Sequence, residues 1–203
     1  MVEVTSNYLS KDDFRSVRNA VDEIGEQYYA PEHNPVTGKY NLTACNITLT
    51  VPEGYNKFIS QYRGLSPLNS MLDSECNILH LIFLKMKTGE EIALHQDENL
   101  NDLGPLANGP VGIFPIHSTL LYMSIPDDME GGHFFWNDDE GNTAALTPET
   151  NMFVRFPGEV WHGVTKITKC SSYRRFIVCE QYRLSKRNLR KVQEYNTPKI
   201  IKG

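Results

Sequence analysis

Between Ser10 and Tyr29 the apolar residues Phe14, Val17, Val21, Ile24 and Tyr28 recur at spacings of three and four, the mark of one buried helix face. Ser10 followed by Asp13 has the form of a capping box, so the pattern predicts a helix over Ser10–Tyr29. Beyond it the pattern changes. Asn41–Val51, Asn77–Met86, Glu90–His95, His117–Ile125, His133–Asn137, Met152–Phe156 and Tyr173–Tyr182 are short runs rich in β-branched and aromatic residues, and they predict strands. Turn signals part them, among them Thr88-Gly89, Gly131-Gly132, Gly141-Asn142 and Pro157-Gly158. Pro31–Gly38 reads as a loop, Asn56–Arg63 as a short helix, Ser185–Tyr195 as a closing amphipathic helix and Asn196–Gly203 as a loose tail. A series of short strands with few helices points to a β-sandwich or barrel, and a jelly roll is one way to protect its edges.

Composition narrows the class. The chain has 203 residues, 40% hydrophobic and 22% charged, which suits one globular domain with a sizeable core. No apolar run reaches the roughly 18–20 residues that span a bilayer, and no secretory leader is visible, so a cytoplasmic protein is expected. Cys45, Cys76, Cys170 and Cys179 are too scattered for a disulfide framework, and none stands in a C-x-x-C pair. Net charge is −5. Seven Lys or Arg against one Glu lie between Arg183 and Gly203, leaving a body with 13 basic and 24 acidic side chains. So acidic a body argues against a phosphate-binding surface and hence against nucleic acid as partner. The basic end reads as a solvated helix face.

The chemistry lies in three places. His95-Gln96-Asp97 closes a strand run, where side chains two apart share a face, so an imidazole and a carboxylate point the same way. His162 follows Phe156-Pro-Gly158 in the setting Trp161-His162-Gly163-Val164. Two histidines and one carboxylate leave open positions on an octahedral metal, as in oxygen-activating iron(II) centres. Arg174 and Arg175 then open the last strand, where a buried arginine calls for an anionic partner such as a carboxylate.

These motifs, in this order, resemble the 2-oxoglutarate- and Fe(II)-dependent dioxygenases, and within them the prolyl 4-hydroxylase-like branch. That branch also has a strand of the form T-x-L-x-Y-L-N before an acidic turn and G-G-x-x-x-F. Here Ser118-Thr-Leu-Leu-Tyr-Met-Ser124 precedes Pro126-Asp-Asp-Met-Glu-Gly-Gly-His-Phe-Phe-Trp136. The resemblance runs from about Asn77 to Tyr182. It implies a double-stranded β-helix, a cupin-like jelly roll, mainly β with flanking helices. It implies one domain over 1–203: a helical buttress 1–65, a core 77–182, and a C-terminal helix and tail 183–203. Fe(II) would be held by His95, Asp97 and His162, with 2-oxoglutarate and O2 as cosubstrates and ascorbate as a reductant. The distal carboxylate of 2-oxoglutarate would meet Tyr122 and one of the two arginines. Arg175 is favoured, because that register turns Ile177 and Cys179 inward and Phe176 and Val178 outward. The alternative, Arg174, would set bulky Phe176 beside the cosubstrate.

Two positions depart from the branch. Met86 stands where a tyrosine usually precedes the glycine of a Y-x-x-G turn, and the arginines lie two or three residues farther from the distal histidine than usual. The implied reaction is hydroxylation of a prolyl or other residue in a peptide or protein, releasing succinate and CO2. A free amino acid or small metabolite is the alternative substrate, and a non-catalytic metal-containing jelly-roll binding module the alternative from another class. His33, His80, His117 and His133 need no special role, although the resemblance puts His133 where relatives often have a polar residue, a position that could face the substrate. The acidic turns at Asp127-Asp128-Met-Glu130 and Asp138-Asp139-Glu140 would favour a cationic substrate if they flank the mouth. The long segment Glu98–Gly112 has the character of a substrate-covering loop.

Overall fold

The computed structural model describes residues 1–24, 28–33, 40–97, 113–138 and 140–195. The expected covering loop Glu98–Gly112, the tail Asn196–Gly203, Asp139 and residues 34–38 lie outside them. The strands are β1 Glu3–Thr5, β2 Ala30–His33, β3 Tyr40–Thr50, β4 Ile78–Met86, β5 Ile92–His95, β6 His117–Ser124 and β7 Glu130–Gly131. They continue with β8 Phe134–Asn137, β9 Thr143–Leu146, β10 Phe153–Phe156, β11 His162–Val164, β12 Ile167–Lys169 and β13 Arg174–Tyr182. The helices are α1 Lys11–Glu23, α2 Glu53–Gln61 and α3 Lys186–Tyr195, with a 3-10 helix over Arg63–Met71.

A seven-stranded antiparallel sheet, ordered β1-β10-β6-β13-β4-β3-β2, faces a four-stranded sheet ordered β5-β11-β8-β9, and β7 pairs with β12. This is the jelly-roll arrangement expected. Two clusters fill it. On the outer face of the large sheet, Leu79, Leu81, Phe83, Leu121, Ile177 and Cys179 pack against Val17 and Ile24 of the N-terminal helical region, Phe58, and Leu65 and Leu68 of the 3-10 helix. Between the sheets lie Leu120, Tyr122, Phe134, Val154, Phe156, Val164, Phe176 and Val178. Each fully buried aliphatic or aromatic side chain contributes about 1.5–3 kcal/mol, so the outer cluster fastens the helices to the sheet.

Local chemistry explains the element bounds. Ser10 caps α1 by accepting from the Asp13 N–H at 3.1 Å, as the capping pattern predicted. The helix stops at Glu23, short of the predicted Tyr29. The 3-10 helix was not anticipated, yet Leu65, Leu68 and Met71 repeat at intervals of three, the period at which 3-10 side chains eclipse. Strand β2 contradicts the expected loop at Pro31. It is the edge of its sheet, where a proline without an N–H is tolerated. All four cysteines are free thiols. Among the described residues no helix is long and apolar enough to cross a membrane.

The faces of β13 are the reverse of the favoured register. Phe176 and Val178 point between the sheets, and Ile177 and Cys179 point to the helices. By alternation Arg174 goes inward with Phe176, and Arg175 goes outward. The cause lies in the partners: β13 pairs Ile177 with Phe83 and Cys179 with Leu81, both already committed to the helical side.

Candidate functional site

Strand β11 lies between β5 and β8, with His162 directly opposite His95 on one side and Trp136 on the other. Gly163 permits this close approach. A Cβ there would lie 2.6 Å from the Ile92 carbonyl oxygen and 2.7 Å from the Phe135 ring. The two imidazoles therefore sit side by side, with ring centroids 4.4 Å apart, and His162 is wedged against Phe156 at 4.5 Å. Asp97 follows β5 and is tied to the turn before β11 by its N–H, which donates to the Gly158 carbonyl at 3.3 Å.

The three side chains converge. Asp97 Oδ1 is 3.5 Å from Nε2 of both His95 and His162, and the three ligand atoms all lie within 4.8 Å of one another. Each Nδ1 meets a backbone carbonyl, His95 at Ala93 (2.9 Å) and His162 at Val160 (2.8 Å). A carbonyl only accepts, so Nδ1 carries the hydrogen and the Nε2 lone pair is turned to the centre, the tautomer a metal requires. A metal with bonds of about 2.1 Å separates neighbouring ligand atoms by about 3 Å, so an ion would draw this triad in slightly.

Electrostatics leave the groups in ligating form. Burial raises the Asp97 pKa, but His162, His95 and Ser118 together overcome this and hold it at about 2. Burial pushes His162 down to about 4, with His95 adding and Asp97 opposing. Burial lowers His95 too, but the hydrogen bond and charge of Asp97 outweigh it, and its pKa rises. Asp97 is thus ionised and His162 neutral at pH 7.

Ser118 went unremarked in the sequence except as part of a strand motif. Its hydroxyl donates to Asp97 Oδ2 at 2.5 Å, leaving Oδ1 for a metal. Partners of this kind fix ligand geometry, so Ser118→Ala should weaken metal affinity about 10- to 100-fold with little change in fold. A competition titration against a chelator measures this. Unchanged affinity would show that Asp97 is held by the backbone alone.

Deeper between the sheets lies a second constellation. Arg174 is 0% exposed, with its guanidinium carbon 4.9 Å from the Tyr122 ring centroid and 4.8 Å from that of Phe176. Its Nη1 donates to the Gly132 carbonyl, which a turn with φ of +77° and +67° at Gly131 and Gly132 brings inward. Arg174 Nε and Nη2, and the Tyr122 hydroxyl, meet no well-aligned hydrogen-bond partner among the described residues, although the guanidinium and the phenol lie close enough to interact with each other. Burial lowers the Arg174 pKa and raises that of Tyr122, and each partly offsets the shift of the other. Buried donors without acceptors are costly and rare. Two N–H groups and a phenol without an acceptor are the shape and charge complement of a carboxylate. Met86, directly opposite Arg174 on β4, offers no hydrogen bond there.

The other candidates fall elsewhere. Arg175 donates to Asp22 of α1 at 2.6 Å on the outer face, far from these orphaned donors. His133 is bonded through Nδ1 to Thr147 at 3.1 Å, and His117 lies 3.5 Å from Asp73. Asp128 accepts from the Ser171 hydroxyl at 2.7 Å, which ties this acidic turn to the segment before β13. Asp138 closes its own turn by accepting from the Asn142 N–H at 2.7 Å, one residue past the strand that carries Trp136 alongside His162.

No family model matches the chain, and no curated protein matches it by sequence. Solved structures do. A prolyl hydroxylase from Trichoplax adhaerens, in complex with a hypoxia inducible factor oxygen degradation domain peptide fragment, aligns with TM-score 0.62 at 12% identity over 97% of this chain and 87% of its own. A Pseudomonas putida prolyl-4-hydroxylase aligns with TM-score 0.58 at 14% identity, over 90% of this chain and 92% of its own. The viral collagen prolyl hydroxylase of Paramecium Bursaria Chlorella virus-1, in its 2OG complex, gives 0.53 at 14%, over 91% and 96%. The chain has the fold of these enzymes.

Proposed function

We propose that the chain is an Fe(II)- and 2-oxoglutarate-dependent dioxygenase of the prolyl 4-hydroxylase-like branch, hydroxylating a C–H bond of a prolyl or other residue in a peptide or protein. One observation carries this reading: a cation-ready His-Asp-His triad shares an apolar barrel with a buried guanidinium and phenol that lack an acceptor. Either feature alone has other uses; together they suit a metal and a dicarboxylate that reaches from it. The peptide-bound Trichoplax structure supports a peptide substrate.

His95, Asp97 and His162 would hold the iron, and Ser118 would keep Asp97 turned to it. Arg174 and Tyr122 would take the distal carboxylate of 2-oxoglutarate. In this assignment Arg174 replaces the favoured Arg175, because only Arg174 brings unpartnered donors into the barrel. Phe134, Phe156, Val164, Leu120 and Val178 line the interior and keep the reacting atoms from water. The bound cofactors would supply the oxidation: as O2 is reduced, one oxygen atom enters succinate, formed with CO2 from 2-oxoglutarate, and the other enters the substrate C–H bond. Ascorbate as reductant belongs to the same proposal.

The test is an anaerobic titration of the full chain with Fe(II) and 2-oxoglutarate together, followed by visible absorption. The expected result is a weak charge-transfer band that needs both components. No band at saturating iron and cosubstrate would sink the oxygenase reading and favour a binding module that uses the metal structurally.

A further inference from the structure

One polar row crosses the apolar interior face of the large sheet. Ser118 on β6 is paired with Glu180 on β13, Glu180 with His80 on β4, and His80 with Thr48 on β3. Residues directly opposite in an antiparallel pair share a face, so the four side chains project to the same side as Leu120, Val178 and Ile82. Ser118 carries Asp97, so the row runs outward from the metal triad itself. Strands lie about 4.8 Å apart, which places Thr48 about 14 Å from Ser118 at the backbone, within reach of a bound side chain.

Each member is fixed. Thr48 Oγ1 and His80 Nδ1 are 2.9 Å apart. Glu180 is 1% exposed and accepts from the Tyr182 hydroxyl at 2.7 Å. His80 differs from the other residues of β4, because it alone is only partly buried while its strand neighbours are covered. With Nδ1 engaged by Thr48, Nε2 is the ring nitrogen left to meet a ligand. Burial, opposed by Asp97, pushes its pKa down to about 4, so the ring is neutral at pH 7 and does not repel a cation. On the smaller sheet, half-buried Trp136 pairs with His162, and its ring stacks on that of Phe134 at 5.7 Å. A neutral imidazole with a buried carboxylate as its cross-strand neighbour forms a setting for a positive, hydrogen-bond-donating group.

We propose that His80, held by Thr48 and backed by Glu180, determines specificity by accepting a hydrogen bond at Nε2 from an ammonium or guanidinium group of the substrate. The substrate is then a peptide or amine with a basic side chain near the hydroxylated carbon. This rests on the oxygenase reading for the reaction, but recognition of the cation does not depend on turnover. In this arrangement Nδ1–H donates to Thr48 and the Nε2 lone pair faces the substrate.

Pools of short peptides, randomised except for one central position, provide the test. That position is Lys, Arg, norleucine, citrulline or Glu, and binding to the full chain is measured under nitrogen with Fe(II) and 2-oxoglutarate present. The Lys or Arg pool is expected to be retained about tenfold better than the norleucine and citrulline pools, as removing one side of a partly buried charged contact would imply. His80→Leu and Glu180→Gln should remove most of that preference. His80→Gln should keep more of it than His80→Leu, since the glutamine amide places an acceptor near the Nε2 position. A merely structural role for His80 would not produce that rescue. Equal retention of all pools by the wild type, or a preference unchanged in folded His80→Leu, would overturn the proposal. The absorption band, recorded in the same samples, reports separately on the oxygenase reading.

Discussion

Under the proposed function, Arg174→Met should raise the dissociation constant for 2-oxoglutarate by about 10²- to 10⁴-fold, as expected when a fully buried carboxylate partner is lost at about 3–5 kcal/mol. The same substitution at Arg175 changes it by less than about threefold, the scale of a partly exposed ion pair. The contrast follows from placement. Arg174 is 0% exposed with two donor nitrogens lacking acceptors, whereas Arg175 reaches outward to Asp22 of α1. A second signature accompanies the first. Without cosubstrate the Arg174 charge is buried without an anion, so replacing it with an apolar chain of similar length should stabilise the apo protein by about 1–3 kcal/mol. Urea unfolding and a calorimetric titration on the same variant would read both effects. Tight 2-oxoglutarate binding by Arg174→Met, with weak binding by Arg175→Met, would reverse the assignment.

Divalent metal should stabilise the wild type and not His162→Ala. At a hundredfold excess over its dissociation constant, a ligand confined to the folded state adds about 2.7 kcal/mol. For a chain of this length that is a rise of roughly 5–10 °C in the melting temperature. The triad is built for this gain, with Asp97 Oδ1 3.5 Å from each Nε2 and both rings oriented by backbone carbonyls. Removing His162 leaves two ligands and a gap between Phe156 and Phe134, so metal affinity should fall by more than about 10³-fold and the melting shift should vanish. Anaerobic thermal melts with Fe(II), or with Co(II) as a stable substitute, measure it. An equal shift in the variant would mean that the stabilising ion sits elsewhere.

The metal triad was legible in the linear order because its geometry is largely local. His95 and Asp97 share a face through the two-residue strand period, and His162 lies in a turn-flanked stretch ending in a glycine that the close strand packing needs. Strands such as β4, β6 and β13 were legible for the same reason, to within a residue or two of their ends. Ser118 was not, because its partner Asp97 is 21 positions away and a serine within an apolar strand carries no signal of its own. Nor was the row Thr48–His80–Glu180–Ser118, which exists only through pairings among four strands.

The two arginines divide the contributions most clearly. The amino-acid order alone determined that one of two adjacent arginines opens an apolar strand, that such a strand has two faces, and that the chain is rich in short strands, which left a sandwich, a barrel or a jelly roll open. It could not determine which arginine faces inward. Alternation makes the two registers equally regular, and Ile177 with Cys179 is as credible a core pair as Phe176 with Val178. Only the packed sheet decided. Phe83 and Leu81 of β4 were claimed by α1, α2 and the 3-10 helix, the β13 register followed theirs, and Arg174 was left between the sheets with its donors unmet. A periodic pattern states that two faces exist, whereas the neighbours competing to cover them settle which one becomes the interior.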